Sequence, residues 1–186
     1  MRLPGALIVI ALLLLWLGGC SLMPPRARLP RYEDFGALSS DQPPAGRALR
    51  LRAVDSPAWL DNGGIAYRLL AEHPHQLRAY AQHRWVAPPP QLLAQSIRAR
   101  LPAGAAPRVL RIRLLRFEQD FETADRARAV IVLRARLTGP DGHWIAARQF
   151  AISLPCAPDV DGAVSGLSTA ARRASAAIVA WARSIQ

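Results

Sequence analysis

Residues 108–121 read RVLRIRLLRFEQDF and alternate apolar with charged side chains, which is typical of a β-strand with one buried face. The alternation sorts the side chains into an apolar and a cationic face, with Leu110, Ile112 and Leu114 on the first and Arg111 and Arg113 on the second. Leu114 and Leu115 break this phase, so we expect a β-bulge after which Leu115 and Phe117 continue the apolar face. A strand that is apolar on one side must be covered there by a second layer.

The same pattern recurs at residues 48–53, 128–138 and 144–154, each with one apolar face. If these strands are neighbours, six arginines share the opposite face of the sheet: Arg50, Arg52, Arg111, Arg113, Arg134 and Arg136. Like charges that lie directly opposite each other on neighbouring strands repel, and interleaved acidic residues or a bound acidic partner would relieve them. Two interpretations stay open, an anion- or partner-binding face and an ordinary solvated face.

Turn residues separate the remaining strands. Asp61-Asn62-Gly63-Gly64 is followed by a strand at residues 65–70, and His73-Pro74-His75 separates that strand from the next, which starts at residues 76–81. These short strands around turns predict a hairpin or meander. Gly139-Pro140-Asp141-Gly142 predicts a tight turn before residues 144–154.

Two helices complete the fold. Pro90 suits the first turn of a short helix with an apolar stripe at Leu93, Ile97 and Leu101. A long helix begins at Asp159 or Asp161 and carries a continuous apolar stripe: Val160, Val164, Leu167, Ala171, Ala174, Ile178, Trp181 and Ile185. The predicted fold class is α+β, an antiparallel or mixed β-sheet with a short helix and a long C-terminal helix packed on one face.

The N-terminus has the form of a bacterial lipoprotein signal. Arg2 precedes the uncharged run at residues 3–16, and Leu17-Gly18-Gly19-Cys20 closes it with small residues before the cysteine that would be acylated. The run is shorter than the roughly 20 residues of a spanning helix, which disfavours a transmembrane anchor; the other alternative is an ordinary secretory signal with an incidental cysteine. Ser21 stands where an Asp would retain a lipoprotein in the inner membrane, which favours the outer membrane and a periplasmic domain.

This organisation divides the chain into a signal peptide at residues 1–19, a lipidated Cys with a Pro-rich tether at 20–46, and a single α+β domain at 47–186. Within the tether, residues 31–35 could form a short first strand. Lipidation of Cys20 would leave Cys156 without a disulfide partner in the chain, and we interpret Cys156 as a small buried apolar residue rather than a nucleophile.

The formal net charge is +11, and every cation is an arginine. An exported, membrane-tethered chain does not meet the chromosome, so we expect no nucleic-acid partner; anionic lipid headgroups, lipopolysaccharide or an acidic protein are the available targets.

His73, His75 and His83 have no supporting ligand at a suitable spacing, and we expect no metal site. Glu118 and Asp120 share a strand face without further catalytic context, and no cofactor motif occurs. We therefore expect a protein that is not an enzyme and holds no cofactor.

Several segments together resemble a known family. They are Tyr67-Arg68, the segment Tyr80-Ala81-Gln82-His83-Arg84-Trp85 with its following prolines and Leu92-Leu93, the strand end Phe117-Glu118-Gln119-Asp120-Phe121, Phe150, and the helix finishing at Trp181. From about Arg31 to Ile185 the chain resembles the ABC-type transport auxiliary lipoproteins, the group that includes the paraquat-inducible protein C type.

The resemblance implies an outer-membrane lipoprotein that faces the periplasm and works with an inner-membrane ABC transporter and a mammalian-cell-entry-domain protein. Such systems move phospholipids or other hydrophobic molecules between the membranes, and a ring-shaped homo-oligomer is one arrangement that the resemblance allows. It carries over no catalytic residues. The alternatives are an assembly factor for lipopolysaccharide or outer-membrane proteins, and a structural envelope tether.

Overall fold

The computed structural model describes residues 29–37, 48–102 and 108–185. These ranges form a seven-stranded sheet with strands β1 Arg31–Glu33, β2 Leu49–Asp55, β3 Gly64–Leu69, β4 Leu77–Trp85, β5 Arg108–Thr123, β6 Arg126–Thr138 and β7 Trp144–Cys156. Two α-helices accompany the sheet, α1 Pro89–Arg98 and α2 Val160–Ser184, and a short 3-10 turn lies at Ala58–Leu60. The mixed sheet with a short helix and a long C-terminal helix confirms the predicted α+β class.

The long strand β5 organises the sheet. One of its edges pairs antiparallel with β6 along most of its length, and β6 pairs antiparallel with β7. The other edge of β5 is shared by two strands, because β2 runs parallel to residues 108–113 and β3 runs parallel to residues 119–121. β4 pairs antiparallel with β3, and β1 pairs parallel with β4. Two strands thus lie end to end along one edge of β5.

The predicted hairpin or meander is right for β3 and β4 and wrong for β2 and β3. β2 and β3 do not pair with each other; each pairs with β5. The connection between them contains the 3-10 turn and a side-chain turn at Asn62, whose Oδ1 accepts from Gly64 N–H at 2.7 Å while its Nδ2 donates to Trp59 O at 2.7 Å. This local bonding carries the chain along the edge of β5 instead of folding it back.

The hydrophobic core lies between one face of the sheet and the helices. The apolar stripe of α2 contributes fully buried side chains at Leu167, Ala171, Ala174 and Ile178. These pack against the apolar faces of β5, β6 and β7 in one continuous cluster. Because every one of these strands alternates, the opposite sheet face is left open and carries its charged residues.

The expected β-bulge in β5 is present. The register with β6 shifts between Leu114, which faces Leu133, and Arg116, which faces Val132. Phe117 returns to the core and is buried, as the sequence predicts, whereas Leu115 at the bulge is only partly buried. The bulge leaves its extra residue outside the regular alternation, so the expectation that Leu115 continues the apolar face is wrong.

The start of α2 is held by hydrogen bonds from its cap and from β5. The Asp159 side chain caps the helix by accepting from Gly162 N–H at 2.6 Å. The side-chain amide of Gln119, which is fully buried, donates to Ala157 O at 2.8 Å and to Asp159 O at 3.2 Å. The Tyr80 hydroxyl donates to Gln119 Oε1 at 2.6 Å. This network fixes where the helix leaves the sheet.

Part of the segment that the sequence places in the tether belongs to the folded domain. β1 pairs with β4, and Phe35 is buried, with its ring centroid 5.3 Å from that of Trp85 and 5.7 Å from that of Phe117. Arg172 of α2 donates to Phe35 O at 2.7 Å. The chain is thus attached to the core from about residue 31. In the described ranges, neither helix is long and apolar enough to cross a bilayer.

Candidate anion-binding face

The open face of the sheet brings the arginines together. Arg111 lies directly opposite Arg136, and Arg113 lies directly opposite Arg134, because β5 and β6 pair in antiparallel register. All four side chains are exposed. Two successive outward-facing positions on these strands therefore place arginine opposite arginine.

β2 extends this face on the other side of β5. Arg50 lies opposite Val109, which shares a face with Arg111 and Arg113. Arg52 sits at the register shift between Leu51 and Ala53 and is exposed at the edge of the sheet. All six arginines that the sequence singles out are thus on, or at the rim of, one surface.

Few acidic side chains lie near these arginines. In the part of the chain that the structure describes, none of the six arginines forms an ion pair. Asp55 lies opposite Arg113 across β2 and β5 and is its nearest acidic strand neighbour in the register. Guanidinium groups stay protonated at physiological pH, so the surface can bind anions but cannot supply a general base.

Four of the six arginines line one cavity of about 430 Å³, which we call the arginine basin. Its wall consists of Arg50, Arg52, Arg111 and Arg136 together with Val109, Thr138 and the turn from Gly139 to Gly142. The turn closes the hairpin of β6 and β7, with Gly142 at a φ of 90° and its N–H donating to Gly139 O at 3.0 Å. The hairpin turn therefore forms one rim of the basin.

A tryptophan that was not predicted from the sequence to belong to the site flanks the basin. Trp144 opens β7, lies opposite Thr138, and leaves 58% of its surface exposed. The guanidinium carbon of Arg136 lies 5.2 Å from the centroid of its ring, within the range of a cation–π contact. Its position at the start of the strand that follows the Gly139–Gly142 turn is the signal that could have identified it.

The other end of the open face holds an acid–arginine network. Glu118 is fully buried between two guanidinium groups: Arg68 Nε donates to its Oε1 at 3.1 Å, and Arg116 Nη2 also donates to Oε1. Arg116 Nη2 also donates to Asp120 Oδ2 at 2.8 Å. The sequence placed Glu118 and Asp120 on one face but did not predict their arginine partners, because Arg68 comes from the distant strand β3.

The two carboxyl groups of this network shift in opposite directions. Burial alone would raise the pKa of Glu118, but the hydrogen bonds and charges of Arg68 and Arg116 outweigh it and leave that pKa below its usual range. Burial raises the pKa of Asp120, and the contact with Arg116 offsets only part of that rise. The network is saturated by its own ion pairs, which distinguishes it from the arginine basin.

The remaining candidates from the sequence lie elsewhere. His73 and His75 are exposed between β3 and β4, whereas His83 lies in β4 with its Nδ1 3.1 Å from Glu33 Oε1. Across the described residues, no three side chains of metal-ligating type converge. Leu17, Gly18, Gly19 and Cys20 lie outside the described residues.

Cys156 is partly buried and packs against the hydrophobic core. It ends β7, an edge strand, where its Sγ lies 3.5 Å from the Gln119 side-chain nitrogen. Burial nevertheless raises the pKa of the thiol, which disfavours the thiolate that a nucleophile needs.

With this geometry established, comparison with known proteins defines the class. Residues 36–179 match the family model described as an ABC-type transport auxiliary lipoprotein component. The chain is therefore an auxiliary component of a membrane transport system. It belongs to the ABC-type transport auxiliary lipoprotein family, as the resemblance implied.

Two solved structures share the fold. A Xanthomonas campestris protein of the DUF330 family model is 22% identical with a TM-score of 0.66, over 84% of this chain and 90% of that one. A crystal structure of an uncharacterized protein is 20% identical with a TM-score of 0.65, over 83% of this chain and 99% of that one. No curated protein matches the chain significantly.

Proposed function

We propose that the chain is an outer-membrane lipoprotein, anchored by acyl chains on Cys20 and facing the periplasm, that serves as a non-catalytic accessory to an ABC transporter and a mammalian-cell-entry-domain protein. The system would move phospholipids or other hydrophobic molecules across the periplasm. The observation that carries this proposal is the family match over residues 36–179, which begins shortly after the predicted lipoprotein signal. Residues 1–19 would be removed, and the segment from Cys20 to about residue 30 would tether the folded domain, which begins at β1, to the membrane.

The non-catalytic role is supported by what the best-placed side chains can do. Arginine stays protonated at neutral pH and cannot act as a base, and the buried carboxylate Glu118 is bound by two guanidinium groups. The pKa of the Cys156 thiol is raised by its partial burial. These groups favour binding and folding over acid–base or nucleophilic chemistry.

The partners are tested by crosslinking intact envelopes, recovering the full-length lipoprotein and identifying co-purified proteins by mass spectrometry. We expect a mammalian-cell-entry-domain protein and transporter components. Recovery of barrel-assembly or lipopolysaccharide-insertion proteins in their place would favour the assembly-factor alternative, and peptidoglycan alone would favour a structural tether. The proposal fails if transporter components are absent under conditions that preserve other envelope complexes. Native mass spectrometry of the purified lipoprotein then tests the ring-shaped homo-oligomer.

The anchor is tested separately with a metabolic acyl probe. The wild-type chain should incorporate the probe and fractionate with the outer membrane, whereas Cys20→Ala should not be labelled. Ser21→Asp is the matched variant for sorting, and we expect it to stay acylated but move to the inner membrane. Labelling that persists in Cys20→Ala would contradict the assignment of the acylated residue.

A further inference from the structure

We propose that the arginine basin binds the phosphate group of an anionic lipid headgroup. The phosphate chemistry follows from the basin itself, while the choice of a lipid as its source rests on the proposed membrane-anchored function. The volume of about 430 Å³ suits a headgroup-sized ligand, since small-molecule sites in proteins fall in the range of roughly 300–1,000 Å³. A flat acidic protein surface would not need a depression of this size.

The charges that line the basin favour a phosphate. Four arginines line it, Arg50, Arg52, Arg111 and Arg136, and a guanidinium group can donate two parallel hydrogen bonds to phosphate oxygens. Asp141 is the single carboxylate in the lining, and its Oδ1 is engaged by the backbone N–H of His143 at 3.2 Å and by the imidazole of the same residue. The basin therefore keeps a strong net positive charge.

The pairing of Arg111 with Arg136 supplies a reason for a bound anion. Side chains directly opposite on antiparallel strands are close neighbours, so two cations there repel each other in the free protein. A phosphate between them would replace that repulsion with charge-assisted hydrogen bonds to both. The next pair, Arg113 and Arg134, extends the positive potential along the same strands.

Trp144 favours a lipid over free phosphate. Its ring contacts Arg136 on one side and is otherwise largely exposed beside the basin. Indole has an apolar body and a polar N–H, which is why tryptophan is enriched where apolar chains meet polar headgroups. A ligand with its phosphate among the arginines could therefore place its glycerol and first methylene groups against this ring.

The test uses the full-length lipoprotein in an uncharged detergent and isothermal titration calorimetry with two probes, inorganic phosphate and dihexanoyl phosphatidylglycerol. Partitioning of the lipid into micelles is the same for every variant and cancels between variants, and the comparison with phosphate uses the concentration of lipid outside the micelles. Wild type should bind both probes, the lipid at least about tenfold more tightly. The double variant Arg111→Gln/Arg136→Gln should weaken binding of both by at least about tenfold.

Two further variants sharpen this test. Arg84→Gln/Arg173→Gln removes the same charge from exposed sites on β4 and α2 and should leave both affinities unchanged. Trp144→Ala should weaken lipid binding several-fold while phosphate binding persists. Because Arg111→Gln/Arg136→Gln removes a repulsion, its midpoint of thermal unfolding should equal or exceed that of wild type, so misfolding would not explain a loss of binding.

Four results would overturn the proposal. In the first, wild type binds neither probe; in the second, the basin variant and the control variant weaken binding equally. In the third, phosphate and lipid bind wild type with equal affinity. In the fourth, Arg111→Gln/Arg136→Gln keeps its affinity for the lipid but no longer crosslinks to an acidic protein. The first two would indicate an ordinary solvated face, the third a site for free anions, and the fourth a protein-docking surface. The calorimetry needs no transporter component, so its failure is distinguishable from failure of the envelope crosslinking.

Discussion

Arg111 of β5 lies directly opposite Arg136 of β6, and the next pair on the same face of these two strands is again two arginines. A cross-strand pair of like charges lowers the stability of a sheet, so this arrangement works against the fold that presents it. Residues whose interactions lower the stability of the fold are expected mainly at functional sites. The opposed arginines are therefore consistent with a binding surface. The cost of their repulsion can be measured as a change in the free energy of unfolding.

Arg134→Glu should stabilise the protein, because it converts the pair with Arg113 from repulsive to attractive. We expect the free energy of unfolding to rise by about 0.2–1 kcal/mol in urea titrations at low ionic strength, with the gain shrinking as salt is added. Arg173→Glu makes the same charge change on the exposed face of α2 and serves as control. An equal gain in both variants would show that net charge, and not the cross-strand pair, is responsible.

Glu118→Gln should destabilise the protein substantially. The side chain is fully buried, and its loss of charge would leave Arg68 and Arg116 without their shared carboxylate. We expect a loss of about 2–4 kcal/mol in urea unfolding, somewhat below the effect on a fully buried pair because both arginines are partly exposed. Glu122→Gln, whose partner Arg128 is 4.0 Å away at an exposed site, should change stability by less than about 0.5 kcal/mol. Similar losses in the two variants would contradict the assignment of Glu118 as the buried centre of the network.

Glu118 and Asp120 should have opposite effects on how the free energy of unfolding changes as the pH falls. The pKa of Glu118 is lowered in the folded state, so its ionised form contributes stability above the unfolded pKa of about 4.3, and this contribution disappears as pH falls through the folded value. The pKa of Asp120 is raised, so its protonation on acidification favours the folded state. Glu118→Gln should therefore flatten the fall in unfolding free energy between about pH 5 and pH 3, and Asp120→Asn should steepen it. Urea titrations across this range check the prediction, and parallel curves for both variants and wild type would rule it out.

Gly166→Leu should disrupt the contact of α2 with the sheet. A Cβ atom at this position would lie 2.9 Å from the Cβ atoms of both Ala129 and Cys156, which is closer than such atoms approach. We expect a loss of about 1–3 kcal/mol or more from overpacking, measured by thermal or urea unfolding. Ala176→Leu on the exposed side of the same helix is the matched control and should stay within about 0.5 kcal/mol of wild type. A neutral Gly166→Leu would mean that α2 packs less closely than described.

Much of the fold could be predicted because its signals are local. Alternation along residues 108–121 located β5 and its bulge, and the three- and four-residue spacing from Val160 to Ile185 located α2. Side chains repeat every two residues in a strand and about every 3.6 residues in a helix, so each repeat can be recognised within one segment of the sequence. Leu115 was misjudged, because a bulge leaves partly exposed a residue that regular alternation would bury.

The sequence by itself determined which residues form strands and helices, which face of each is apolar, and that arginines dominate the opposite face. Only the tertiary structure decided that β2 and β3 both pair with β5, that Arg111 meets Arg136, that Arg68 reaches Glu118, and that Trp144 flanks the basin. Strand neighbours and register depend on packing between segments that are distant along the chain. The alternation within one strand does not specify which strand pairs with it. The charged face was therefore visible in the sequence, whereas the basin exists only where three strands and a turn meet.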